Sequence, residues 1–144
     1  MGGDGLLGTE RRSGFQDLVG YRLAAWEEGG AVLELEVGPQ HLNRAGVLHG
    51  GVLSTLLDTV MGFAGTFCPH PGRKRTTVTL SLTTSFTGQC SSGTVRASAR
   101  VAGGGTRVYA CTGEVRGPDG TVLAVGQGTF RYRTGSEDPH GVPA

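Results

Sequence analysis

The sequence predicts an α+β fold in which one long central helix packs on an antiparallel sheet of about five to six strands. Two segments near the start and four after residue 75 alternate as strands do, whereas one segment after Gly50-Gly51 has helical spacing. A single helix can bury its apolar stripe by covering one face of a sheet. The length of 144 residues suits one domain.

The first two strands are predicted to form a β-hairpin. Residues 18–26 and 31–37 carry strand-like alternation. Residues 27–30, with the sequence EEGG, separate them and suit a tight turn. The sheet is therefore expected to begin with this hairpin.

The segment that begins at Gly50-Gly51 is predicted to be the long helix. Apolar residues recur there with helical spacing, at Val52, Leu53, Leu56, Leu57, Val60, Met61 and Ala64. A second stripe holds small and polar residues, namely Ser54, Thr55, Asp58, Thr59 and Gly62. Two prolines and a glycine in residues 68–72 end the helix. One stripe should face a core, and the other permits a close approach by another surface.

The rest of the domain is predicted to be a four-stranded antiparallel meander. Its strand-like segments are residues 76–86, 93–102, 106–116 and 121–133. Gly103-Gly104-Gly105 and Gly117-Pro118-Asp119-Gly120 have the composition of tight turns. Consecutive strands are therefore expected to pair as hairpins.

Both ends of the chain are predicted to be flexible tails around a domain of residues 14–133. Residues 1–13 and 134–144 are polar, aperiodic and contain Gly or Pro. The first residues lack the pattern of a secretion signal, and no stretch reaches the length of a membrane span. We therefore expect a cytoplasmic protein with no membrane partner.

Charge and cysteine content limit the kinds of molecule that the protein is expected to bind. A formal net charge of +1 gives no electrostatic reason to expect nucleic acid or an anionic membrane. Cys68, Cys90 and Cys111 have no close paired spacing, so the sequence predicts neither a disulfide framework nor a metal site. Cys111 could be a thiol nucleophile, but a strand cysteine is more often a small buried hydrophobe. We favour the buried role.

The segment from Asn43 to His49-Gly50-Gly51, followed on the helix by Asp58, carries the functional signal. It closely resembles the PaaI-like hotdog-fold acyl-CoA thioesterases, which have an Asn, a Gly three residues later, a His-Gly-Gly at the helix start and an acidic residue two turns on. In this sequence the Gly three residues after Asn43 is Gly46. The order of elements matches over residues 18–132. The resemblance implies a thioesterase that hydrolyses acyl-CoA or a related thioester.

The residues support this chemistry by themselves. Glycines at a helix start leave amide donors accessible, and the helix dipole there favours negative charge. The Gly50 N–H, with the Asn43 amide, could stabilise the oxyanion of a thioester under attack. Asp58 could act as a general base or attack directly through an anhydride. The sequence leaves these two roles open.

The resemblance adds further candidate residues. Alignment of Phe86 with the family's strand aromatic puts Thr79 at the Ser/Thr position that holds a water beside the acid. Period-two alternation places Thr77, Thr79 and Ser81 on one face. His49 and Gly51 are expected to be substrate-binding residues, and His49 is expected to fix the loop before the helix. No metal or cofactor is implied, because coenzyme A is part of the substrate.

Distance along the helix predicts an oligomer. Eight helical residues place Gly50 and Asp58 about 12 Å apart, too far to serve one carbonyl. Asp58 would then come from a second subunit. The family pattern agrees, since hotdog pairs join their sheets edge to edge. A homodimer or dimer of dimers with sites at the subunit interface is therefore expected.

A basic stretch precedes the strand of Thr79. Arg73, Lys74 and Arg75 are predicted to bind the phosphates of coenzyme A, although a solvated loop is an equal alternative. Two alternatives to hydrolysis also stay open. One is a non-catalytic acyl-CoA-binding module. The other is a hotdog dehydratase or hydratase, which uses a differently placed His and is less favoured by His49-Gly50-Gly51.

Overall fold

A computed structural model describes residues 12–144, so nearly all of the predicted N-terminal tail lies outside the described residues. The elements in chain order are α1 (Gly14–Val19), β1 (Arg22–Glu27), β2 (Gly30–Glu36), α2 (Gly50–Ala64), β3 (Arg73–Lys74), β4 (Thr77–Phe86), β5 (Thr94–Gly104), β6 (Val108–Arg116), β7 (Val122–Tyr132) and β8 (Val142–Pro143). Six strands form one antiparallel sheet in the order β1-β2-β5-β6-β7-β4, and α2 covers one face. The predicted fold, one long helix on an antiparallel sheet, is confirmed.

A short helix, α1, occupies the start of the first predicted strand. Ser13 Oγ accepts a hydrogen bond from Gln16 N at 3.0 Å, which caps the helix start. Gly20 ends the helix with a φ of 94°, a left-handed conformation that favours glycine. The strand therefore begins only at Arg22, and the prediction of a strand from residue 18 is wrong at its first residues. Two residues of this predicted strand, Leu18 and Val19, lie in the helix.

Only three of the four later strands form the predicted meander. The strands β5, β6 and β7 follow one another as hairpins, but β4 pairs with β7 and β5 pairs with β2. The segment 87–93 bonds elsewhere instead of forming a hairpin: Gly88 N donates to Leu123 O, and Leu48 N donates to Cys90 O. These contacts with β7 and with the loop before α2 carry the chain past the end of the sheet.

The apolar stripe of α2 faces the sheet as predicted. Its buried residues are Leu53, Leu56, Leu57, Val60, Met61 and Ala64, while Val52 is half-buried. Glycines on β6 and β7 lie directly below the helix. A Cβ placed on Gly126 would lie 3.1 Å from Leu57 Cδ1 and 3.0 Å from the backbone oxygen of Thr83. The missing side chain therefore lets α2 approach the sheet closely.

The strand β4 contains a bulge that changes which residues share a face. Thr79 lies opposite Phe130 and Ser81 lies opposite Thr129, so Leu80 is the extra residue. Ser81 Oγ hydrogen-bonds Thr129 Oγ1 at 2.7 Å on the face away from α2. The prediction that Ser81 shares a face with Thr79 is therefore wrong, because the bulge breaks the period of two.

The segment 134–144 packs against the domain, in contrast to the free tail that its composition predicts. The strand β8 pairs with β3. Ser136 is fully buried, and its Oγ accepts a hydrogen bond from Thr76 N at 2.9 Å. These contacts are long-range, so local composition does not reveal them.

Within residues 12–144, no helix is both long and apolar enough to cross a membrane.

Candidate active site

A tight loop presents Asn43 beside the start of α2. Asn43 Oδ1 accepts hydrogen bonds from Ala45 N at 2.9 Å and from Val47 N at 3.2 Å. Gly46 has a φ of 78°, which the turn requires and glycine tolerates. The side-chain oxygen of Asn43 therefore holds the loop, and the Nδ2 group remains available as a donor on an exposed residue.

His49 caps α2 and leaves one amide of the first turn free. Its Nδ1 accepts a hydrogen bond from Gly51 N at 2.7 Å, and its backbone oxygen accepts from Val52 N at 2.9 Å. Among residues 12–144, the Gly50 N–H has no hydrogen-bond acceptor. The predicted loop role of His49 and Gly51 is thus an internal cap, and Gly50 provides the accessible helix-end donor.

A cleft of about 410 Å³ opens at this helix start. Its walls include Asn43, Gly50, Leu53 and Phe86. A Cβ placed on Gly50 would lie 3.4 Å from Phe86 Cε1, so the aromatic ring lies directly against the glycine. Phe86 is 54% exposed. The two predicted donors therefore share one partly apolar cleft.

The prediction from sequence did not identify Phe86 as a wall of this cleft. Simple alternation along β4 would put it on the opposite face from Thr79. The bulge at Leu80 shifts the later residues by one, so that Phe86 and Thr79 both face the helix side of the sheet. The strand around Leu80 contains no glycine, and nothing else in the local sequence indicates a bulge there.

Asp58 and Thr79 form a direct contact at the middle of α2. Thr79 Oγ1 donates a hydrogen bond to Asp58 Oδ1 at 2.7 Å. Asp58 is half-buried, and Thr79 is exposed on the edge strand β4. The second carboxylate oxygen, Oδ2, has no hydrogen-bond partner among the described residues. The structure thus brings these two predicted residues together, and leaves a basic oxygen open.

Within one chain, the donor pair of Asn43 and Gly50 is separate from the acid pair of Asp58 and Thr79. Gly50 and Asp58 lie eight residues apart on one helix, which corresponds to about 12 Å. Neither Asp58 nor Thr79 lines the cleft at Asn43 and Gly50. A single protomer therefore presents a donor pair and an acid pair at two places.

In the predicted phosphate-binding stretch, the side chains of Arg73 and Arg75 form hydrogen bonds to the C-terminal segment. Arg73 Nε donates to His140 O at 2.9 Å, and Arg75 Nε donates to Ser136 O at 2.9 Å. Carbonyl oxygens of the segment 134–144 need donors, and these guanidinium groups supply them. Lys74 is exposed and forms no ion pair within the described residues. Phosphate binding by Arg73, Lys74 and Arg75 stays a prediction, and Lys74 is the one of the three whose side chain makes no hydrogen bond to the C-terminal segment.

The structure does not support Cys111 as a thiol nucleophile. Cys111 is 1% exposed, and burial raises the pKa of its thiol to about 12. Its Sγ donates to Met61 O at 3.5 Å below α2. A thiol in this state is not a nucleophile near neutral pH. The buried role favoured for Cys111 is confirmed. Among residues 12–144, no three His, Cys, Asp or Glu side chains are grouped to hold a metal ion.

Comparison with known proteins gives one consistent family. The model of the thioesterase superfamily matches residues 45–124. PA0474 of Pseudomonas aeruginosa, a candidate esterase by its name, is 41% identical over 51 residues, which are 35% of this chain and 38% of that relative's own length. The solved structure of the conserved protein PA5202 from Pseudomonas aeruginosa is 33% identical, with a TM-score of 0.74 over 85% of this chain and 95% of that one.

The fold comparison extends to a second solved structure, the E. coli PaaI protein from the phenylacetic acid degradation operon. It is 25% identical, with a TM-score of 0.74 over 85% of this chain and 86% of that one. The helix-on-sheet architecture and the match to the family model therefore indicate the same family. Because the family match covers more than half of the chain, this protein belongs to the thioesterase superfamily and, within it, to the PaaI-like hotdog-fold proteins.

Proposed function

We propose that this protein hydrolyses acyl-CoA thioesters at sites formed between two subunits of a homodimer. Membership of the thioesterase superfamily assigns the general reaction, which is hydrolysis of an acyl thioester. The proposal adds the carrier of the acyl group, the residues and their roles. The hydrogen bond from Thr79 Oγ1 to Asp58 Oδ1 is the single observation that carries it.

The Gly50 amide and the Asn43 Nδ2 group polarise the thioester carbonyl. Both line the cleft at the start of α2, where the helix dipole favours negative charge. When the carbonyl carbon is attacked, its oxygen becomes an oxyanion that accepts hydrogen bonds from these donors. Loss of one such donor commonly lowers kcat by about a hundredfold or more. The His49 cap keeps the first turn of α2 in place for this role.

Asp58 activates the attacking water as a general base. Thr79 orients the carboxylate by donating to Oδ1, so that Oδ2 accepts a proton from water. The water oxygen forms a bond to the carbonyl carbon, and the C–S bond then breaks. The proton returns to the leaving sulfur, which gives a free acid and a thiol. Direct attack by Asp58 through an anhydride is the alternative route.

Two protomers are needed to complete the site. A donor pair and an acid pair about 12 Å apart along one helix can meet at one carbonyl when two helices run antiparallel across an interface. The edge strand β4 supports this arrangement, because its outer edge pairs with no strand within the described part of the chain. Exposed apolar residues on it, Leu80, Leu82 and Phe86, favour burial against a second copy.

The substitution Asp58→Asn tests the enzymatic role. The amide cannot accept the proton of water, so kcat should fall by about a hundredfold or more while acyl-CoA still binds. Turnover is measured over short, medium, long and aromatic acyl-CoAs, and binding is measured by calorimetry with a non-hydrolysable analogue. Asp17→Asn, on exposed α1, is the matched control and should keep full activity.

Two results would contradict the proposal. Unchanged turnover in Asp58→Asn would remove Asp58 from the mechanism. Tight binding of the analogue by a wild-type protein that hydrolyses no acyl-CoA would favour a non-catalytic binding module.

A further inference from the structure

A second cleft, of about 740 Å³, lies at the edge of the sheet away from Gly50. Its lining includes Arg107, Arg131 and Arg133, and we call it the arginine cleft. Arg131 lies opposite Val78 of β4 and Val108 of β6, whereas the preceding residue on β7 faces the core below α2. This register directs the arginine to the outer face of the sheet. The arginine cleft is therefore distinct from the cleft at the start of α2.

The arginine cleft concentrates positive charge. None of its three guanidinium groups forms an ion pair with a carboxylate within residues 12–144, whereas five other arginines in the same range do so. The cleft also contains Glu137, whose Oε1 accepts a hydrogen bond from Gly135 N at 2.9 Å and is held in that turn. The whole chain has a formal net charge of only +1, so this is a local excess.

The shape and chemistry of the arginine cleft suit phosphate groups. Guanidinium groups recognise phosphate oxygens through paired, charge-assisted hydrogen bonds. Tyr132 also lines the cleft, and Arg75 lies 4.2 Å from the centroid of its ring. The volume is within the range of about 300–1,000 Å³ that is typical of small-molecule sites. An anion with several phosphate groups therefore fits these residues best.

We propose that the arginine cleft binds the phosphates at the nucleotide end of the coenzyme A thioester. This rests on the proposed function. Val78 lines the cleft, and the next residue, Thr79, contacts Asp58 on the other face of the same strand. The arginine cleft lies where β4 and β6 begin and β7 ends. A flexible arm separates the thioester from the nucleotide in coenzyme A, so one ligand can pass around this end of the sheet and reach both faces. Arg75 acts here as a positioning residue, because it holds the segment that carries Glu137.

Calorimetry with adenosine 3′,5′-bisphosphate tests the arginine cleft without any turnover. The wild-type protein should bind this nucleotide, and the double variant Arg131→Ala, Arg133→Ala should lose about tenfold or more in affinity, as expected for loss of charge-assisted hydrogen bonds. Lysines at both positions should restore part of the affinity. Arg100→Ala, on an exposed arginine paired with Glu27, is the control of equal chemistry and should bind as the wild type does.

Kinetics with two carriers give the second readout. For an acyl-CoA, the double variant should raise KM and keep kcat, because it removes only binding of the distant phosphates. For the matching acyl-pantetheine, which has no nucleotide, both constants should equal those of the wild type. The proposal is overturned if the wild type does not bind the bisphosphate or if the double variant binds it equally well. Since calorimetry needs no hydrolysis, an inactive wild type counts against the proposed function alone.

Discussion

The hydroxyl group of Thr79 is the smallest feature on which the proposed chemistry depends. It donates to Asp58 Oδ1 from a strand position that is exposed, so its contribution to packing is small. A carboxylate whose orientation is held by a hydrogen bond presents its other oxygen in one direction. In the proposed mechanism Thr79 is therefore a positioning residue that acts through Asp58.

Thr79→Val should separate this positional role from folding. Valine keeps the shape and the strand propensity but removes the donor, and loss of a hydrogen bond to a charged group costs about 1.5–3 kcal/mol. If that energy is used in the transition state, kcat falls by about ten- to a hundredfold. Steady-state kinetics provide the measurement.

Two comparison variants make the result decisive. Thr79→Ser keeps the hydroxyl and should retain most of kcat. Thr83→Val changes the same residue type on the outer face of β4, opposite Gln127, and should behave as the wild type. A normal kcat in Thr79→Val would show that Asp58 needs no such orientation.

At the scale of elements, the position of α2 depends on residues that lack side chains. Gly113, Gly126 and Gly128 lie on neighbouring strands, and a Cβ on any of them would meet Leu57 or Met61 of the helix. The close approach sets the height of the helix above the sheet. It therefore also sets where Asp58 meets Thr79.

Gly126→Ala should lower the free energy of unfolding. Its Cβ would lie 3.1 Å from Leu57 Cδ1 and 3.0 Å from Thr83 O, and overpacking of this kind costs about 1–3 kcal/mol. Chemical denaturation at one fixed protein concentration measures the change. Gly103→Ala is the control, because a Cβ there meets nothing within 4 Å. Equal stability of the two variants would mean that α2 adjusts without cost.

At the scale of the whole molecule, the proposed site is a property of the assembly. Asn43 and Gly50 would come from one subunit, and Asp58 and Thr79 from the other. In a symmetric dimer each interface residue occurs twice, so there are two equivalent sites. Variants of the two halves can therefore complement each other.

A heterodimer of Asn43→Asp and Asp58→Asn chains should regain activity. Asn43→Asp keeps the oxygen that accepts from Ala45 N and Val47 N, but it removes the donor. Each homodimer should be nearly inactive, whereas the heterodimer contains one intact site and should show about half of the wild-type activity. The two chains carry different affinity tags, and the doubly tagged dimer is assayed after purification.

A heterodimer of Asp58→Asn and Thr79→Val chains is the matched negative control. Both changes affect the same half, so neither site is intact, and activity should not exceed about half of that of the Thr79→Val homodimer. If the first heterodimer also stays inactive while remaining dimeric, the donor and acid pairs do not meet across the interface.

Local patterns in the sequence were enough to predict the main elements, and the family resemblance of residues 43–58 added the candidate residues. Helical spacing identified α2 and its buried stripe, because a helix on a sheet must bury one face. Turn compositions located the hairpins around β6, since glycine is tolerated where a chain reverses. The segment from Asn43 to Gly51 marked the helix start, which supplies free amides by its geometry.

Long-range pairing decided what the local patterns do not contain. The bulge at Leu80, which moves Ser81 away and Phe86 toward the helix side, results from the register of β4 against β7. The placement of β4 at the sheet edge, the anchoring of residues 134–144 and the grouping of the arginine cleft also join residues that are distant in sequence. Such contacts depend on the free energy of the whole fold, and a local period carries no information about them.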